Sequence, residues 1–65
     1  MDGKNRDNIS PNMHVAVVQK QDQRSGKLTD GVVERILTKA AYHPHGIKVK
    51  LSSGVVGRVK EIFSD

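Results

Sequence analysis

The sequence predicts an all-β fold, a small barrel of about five short strands, and three features carry that prediction. A valine-rich run covers residues 13–20, Ile47–Leu51 alternates apolar and charged residues without fault, and turn-forming Gly, Pro and Ser residues separate the apolar runs. At 65 residues there is room for one domain only, and a chain of this size buries only about 60% of its unfolded surface. There is no cysteine to reinforce that small core, which excludes disulfides and thiolate metal sites.

Residues 1–9 are polar and aperiodic up to Ile9, which predicts a flexible, disordered leader ahead of a single barrel domain over 10–65. Ser10-Pro11-Asn12 is a turn that admits the first strand. In that strand Val15, Val17 and Val18 leave little room for a wet face, so it is expected to be covered on both sides. The polar stretch Gln21–Lys27 follows as a long loop, of the kind that often carries function. Gly31–Leu37 reads as the next strand, although neither parity of the run is purely apolar, and a bulge inside it would account for that. Thr38–Gly46 forms a second loop, punctuated by Pro44 and Gly46.

The last hairpin can be registered by argument. A two-residue Ser53-Gly54 loop would set Val49 against Arg58 and mix core with charge. A three-residue loop, Ser52-Ser53-Gly54, pairs Leu51 with Val55, Val49 with Gly57 and Ile47 with Val59 instead. That register makes one face wholly apolar, and a one-residue slip would destroy it. It also places Gly54 where such loops need a left-handed residue. Gly57, in mid-strand, suggests a bend or a close approach of another backbone. Ile62 and Phe63 are expected to plug one end of the barrel.

Charge is unevenly distributed. Of 11 Lys and Arg and 7 Asp and Glu, two of each fall within residues 1–9, so the whole net charge of +4 belongs to the barrel. Such an excess serves solubility, and it also attracts polyanions. The chosen register sets Lys48 opposite Arg58, with Lys50 and Lys60 on the same outward face. Like charges facing each other across strands cost roughly 0.2–1 kcal/mol, a burden that an anionic ligand would relieve. Arg24 and Lys27 in the first loop add to the candidate surface, with Lys20 at its base. Arg24-Ser25-Gly26-Lys27 resembles the end of a phosphate-binding loop, but Leu28-Thr29-Asp30-Gly31 supplies no helix behind it, so nucleotide hydrolysis is rejected.

His43-Pro44-His45 brings together two imidazoles without a third ligand, so no metal or other cofactor is expected, and both histidines stand instead as loop contacts for phosphate or a base. No nucleophile, base and orienting group fall together, and no apolar pocket is expected in so short a chain, so an enzyme is not expected either. The only aromatic rings besides histidine are Tyr42 and Phe63, the latter assigned to the core. Readers built on several stacked aromatics are thus disfavoured, leaving backbone charge and shape as the means of contact. No apolar run approaches the roughly 20 residues of a membrane span, and the N-terminus lacks the apolar stretch of a signal peptide. A soluble cytoplasmic protein without membrane contact is expected.

The stretch Asp22–Val33 followed by Ile36-Leu37-Thr38, with His43–Val49 and Gly54–Val59, resembles the YwbE family of short uncharacterised proteins over about residues 9–62. That likeness implies no particular activity. A second likeness is to the KOW element of ribosomal proteins and transcription elongation factors: a valine-rich strand, a polar loop, then Gly31-Val32-Val33 and Ile36. Pro11-Asn12 stands where that element usually has glycine. The resemblance implies an SH3-like barrel that contacts RNA or protein. The expected function is accordingly nucleic-acid binding, of ribosomal or other structured RNA, through Arg24, Lys27, Lys48, Lys50, Arg58 and Lys60 with His43 and His45. A protein-interaction module is the alternative; partner identity and oligomeric state are left open.

Overall fold

The computed structural model describes residues 4–63. Four antiparallel strands, β1 (His14–Val18), β2 (Thr29–Ile36), β3 (Lys48–Leu51) and β4 (Val56–Ile62), follow one another around a closed barrel, β4 pairing back onto β1. The all-β barrel matches expectation, with four strands where about five were anticipated. Single 3-10 turns cover Arg6–Asn8 and Lys20–Asp22.

The core is a cluster of Ile9, Met13, Val15, Val17, Val33, Ile47, Val49, Leu51 and Val59, sealed at its margins by Ile36, Val55 and Ile62. Ala16 and Val18, on the outward parity of β1, are buried as well, so this strand is covered on both faces. Burying a Val, Leu or Ile side chain contributes roughly 1.5–3 kcal/mol, and nearly all of that material here is aliphatic.

Two bulges close the sheet. Between β2 and β3 the register moves from Val33↔Leu51 to Arg35↔Lys50, leaving Glu34 as the extra residue. Between β1 and β4 it moves from Ala16↔Glu61 to Val17↔Val59, leaving Lys60. Each bulge lets residues three apart, Val33 with Ile36 and Val59 with Ile62, face the same core. A regular strand would turn one of each pair to solvent. The mixed parity of the second apolar run therefore has the cause the sequence suggested.

The β3–β4 register is the one argued from the sequence. Lys48 lies opposite Arg58, Val49 opposite Gly57, and the Leu51 N–H donates to the Val55 carbonyl across a turn in which Gly54 has φ 95°. Gly57 is a point of close approach: a Cβ there would sit 2.8 Å from both Val17 Cγ2 and the Val18 carbonyl oxygen.

The N-terminal segment is tied to the barrel. Of the leader expected over residues 1–9, 1–3 lie outside the described residues. The Arg6 N–H donates to the Ala41 carbonyl at 2.8 Å, the His43 N–H donates to the Lys4 carbonyl at 2.9 Å, and Ile9 is core. Phe63 departs from expectation. It does not plug the barrel but stands 56% exposed, its ring 5.0 Å from that of His14. The core is already closed by Ile62, and the Phe63 N–H donates to the His14 carbonyl, which places the ring on the outer wall.

Candidate functional site

Lys48 and Arg58 are outward neighbours across the β3–β4 ladder. The Val59 N–H donates to the Ile47 carbonyl and the Leu51 N–H to the Val55 carbonyl, so Ile47/Val59, Val49/Gly57 and Leu51/Val55 occupy hydrogen-bonded positions. Lys48/Arg58 therefore falls at a non-hydrogen-bonded position, where side chains lie closest. On the other side of β4, Val18 of β1 pairs with Arg58. Lys48, Arg58 and Val18 thus form one row across three strands.

Two adjoining clefts open along this row. The first, about 450 Å³, lies between the β1–β2 loop and β4 and is lined by Val18, Gln23, Gly26, His45, Arg58 and Lys60. The second, about 820 Å³, runs past Lys20, Lys48 and the β3–β4 turn. They share Val18, Gln23 and Arg58 in their walls, so Arg58 stands at their junction. Lack of chain length does not prevent such clefts, because they are open grooves on the outer wall rather than apolar cavities in the core. Val18, only 6% exposed, is their apolar floor.

The cations differ in what else they hold. Arg58 Nη1 donates to the Gly46 carbonyl and Lys60 Nζ to the His45 carbonyl, each at 3.0 Å. These bonds fasten the loop before β3 onto β4. The accepting carbonyls are neutral, so both side chains keep their charge and most of their donors. Gly46 is what allows the clasp: it has φ 103°, and a Cβ there would meet the Val59 carbonyl oxygen at 2.5 Å. Lys50, by contrast, is drawn toward β2, where its Nζ lies 3.5 Å from Glu34 Oε2. Lys20, Arg24, Lys27 and Lys48 have no side-chain hydrogen bond or ion pair among the described residues.

The two histidines are placed together and beside this cluster. Their ring centroids are 5.7 Å apart, and His43 Nδ1 accepts the His45 backbone N–H at 3.2 Å. Partial burial, followed by the charges of Arg58 and His45, holds the His43 imidazole below its ordinary pKa.

The structure thus brings Lys48, Arg58, Lys60 and His45 to the two adjoining clefts, with His43 next to His45 but in neither lining. It separates Lys50, which is tied to Glu34. Arg24 and Lys27 belong to the loop that walls the first cleft, but the wall itself is made by Gln23 and Gly26. Gln23 and Val18 are groove residues that the sequence did not single out, and Lys20, read only as the base of the loop, lines the second cleft. Parity held the signal for Lys20, which continues the outward series Ala16, Val18. Gln23 depends on how the loop folds back, through the Gly26 N–H bonded to the Asp22 carbonyl at 2.8 Å.

At the far end of the outer face of β1, His14 Nε2 lies 3.0 Å from Asp30 Oδ2. That contact, then the backbone N–H of Asp30, holds the Asp30 carboxyl below the ordinary carboxylate value. Val32 and Phe63 flank His14 there, and both are exposed. No group of three or more His, Cys, Asp and Glu capable of holding a metal occurs among the described residues. Nor is any helix among them long and apolar enough to cross a membrane.

Fold and groove together define a small closed β-barrel with a cationic channel on its outer wall. The chain belongs to the family described as "Uncharacterized conserved protein (DUF2196)", whose sequence profile fits residues 2–62. It is similar to "Uncharacterized protein YwbE" of Bacillus subtilis (strain 168), 52% identical over 64 residues and spanning 98% of each chain. The family resemblance read from the sequence is therefore correct. No solved structure matches the chain.

Proposed function

We propose that this protein is a cytoplasmic binding module for nucleic acid, structured RNA above all, and has no catalytic role. The observation that carries this reading is the continuity of the groove, in which Lys20, Lys48, Arg58 and Lys60 border adjoining clefts with Arg58 at their junction. Cations spaced along a channel suit the regularly spaced charges of a phosphate backbone better than they suit a single small anion. The likeness to KOW elements points the same way, and the cysteine-free sequence suits a reducing compartment.

An amide chemical-shift titration with a structured RNA fragment, repeated at higher salt, tests the proposal. Salt-sensitive shifts are expected at Lys20, Lys48, Arg58 and Lys60 and in the loop around Gln23–Lys27. An absence of shifts at low salt would overturn it.

One observation favours the protein-interaction alternative. Val32, His14 and Phe63 place exposed apolar surface together at the other end of β1, away from the groove. Shifts confined to that patch on addition of a protein partner, with none from RNA, would select this second reading.

A further inference from the structure

The first cleft contains more than a phosphate requires. Arg58 and Lys60 supply its charge, but its lining also includes the nearly buried Val18 as a floor and His45. The Gln23 carboxamide, also in the lining, has no hydrogen-bond partner among the described residues. Gly26 beside it has open space where a Cβ would stand, so ligand atoms can approach the backbone. An apolar floor, a histidine, an unpaired amide and two cations are the chemical complement of a nucleotide: base face, base edge and phosphate. The volume of about 450 Å³ lies within the usual size of small-molecule sites. A paired helix presents its bases inside a stack and cannot fill such a recess, whereas a bulged or looped nucleotide can be turned out into it.

We propose that this cleft receives one unpaired nucleotide of the bound RNA, its base between Val18 and His45 with an edge on Gln23 and its phosphate on Arg58 and Lys60. The inference rests on the RNA-binding reading above and makes it specific. The protein recognises a discontinuity in a folded RNA, and the second cleft, with Lys20 and Lys48, carries the adjoining backbone. One ring is enough for a single base, which reconciles RNA contact with a sequence so poor in aromatics.

Three RNA hairpins with the same stem provide the test: one fully paired, one with a single bulged uridine, and one with an abasic residue at the bulge. Affinities are measured by fluorescence anisotropy and contacts by amide shifts. The bulged hairpin is expected to bind at least about five-fold tighter than the paired one, the low end of what stacking a base contributes. The abasic hairpin should fall back to the paired value, which separates the base from any gain in flexibility. Shifts at Val18, Gln23, Gly26 and His45 should be larger with the bulged hairpin than with the paired or the abasic one. Gln23→Ala, at an exposed loop position, should reduce the ratio of bulged-hairpin to paired-hairpin affinity; an unchanged ratio in the folded variant would remove the base-edge contact from the inference. Equal affinity for bulged and paired hairpins would overturn the inference while leaving the groove as a phosphate-binding surface. No binding of any hairpin at low salt would overturn both.

Discussion

Replacing Lys48 with glutamine should move stability and RNA binding in opposite directions. Lys48 faces Arg58 at a non-hydrogen-bonded position and has no side-chain partner among the described residues, so its removal relieves repulsion without orphaning an acid. A like-charged cross-strand pair costs roughly 0.2–1 kcal/mol. For a domain of this size each kcal/mol shifts Tm by about 4–8 °C, so the variant should melt roughly 1–8 °C higher than the parent. The gain should shrink toward zero near 1 M salt, where the screening length is only about 3 Å. Binding responds differently. The groove cations Lys20, Lys48, Arg58 and Lys60, each on one phosphate, give a log–log salt slope of roughly −2.8 to −3.6. Affinity would then fall about 50- to 150-fold between 50 and 200 mM salt. Lys48→Gln should reduce the steepness of that slope by about 0.7–0.9. Thermal melting by circular dichroism and a salt series of anisotropy titrations measure the two effects. A variant that melts lower, or one that stays folded and keeps the parental salt slope, would refute the reasoning.

Gly57→Ala should destabilise the barrel by about 1–3 kcal/mol, measured by urea denaturation, because its Cβ would press on both Val17 and the backbone of Val18. His43 should titrate below the ordinary histidine value, and Arg58→Gln should bring its midpoint up, both followed by NMR. Since the folded-state value is the lower one, the unfolded chain binds more protons in that window, so stability should decline as pH falls below the ordinary histidine range. Asp30 should titrate below the usual carboxylate value and move back toward it in His14→Gln. Its contribution to stability is present above that usual value and is lost on acidification through the folded-state one.

The parts of the fold written in side-chain alternation were legible in the sequence. Ile47–Leu51 and the apolar matching of Leu51, Val49 and Ile47 against Val55, Gly57 and Val59 admit a single register, and the structure adopts it. The uneven parity of the second strand pointed to a bulge, and Glu34 is there. The bulge at Lys60 was harder to see, because charged residues on either side of it satisfy both parities. Phe63 was misassigned by composition: a lone phenylalanine beside a small core reads as core, but Ile62 already fills that place. In the site, the outward row was readable from register, whereas the pairing of Lys50 with Glu34 and the clasp on Gly46 and His45 depend on three-dimensional neighbours. The groove itself needed the conformation of the β1–β2 loop, which has no periodic signal.

Closure of the sheet also determines how the protein must fold. β1 is its most apolar segment, and one of its two edges is covered only when β4 arrives, residue 15 meeting residue 62. That contact spans most of the chain, and the entropy of closing so long a loop must be met before the pairing can reward it. Until the seam shuts, Val15–Val18 presents an open, aliphatic strand of the kind that templates intermolecular pairing. In the closed barrel each of the four described strands is paired on both sides, so exposure to aggregation is concentrated in the interval before closure. Solubility on refolding should therefore depend on how fast that seam closes relative to how often two unfinished chains meet.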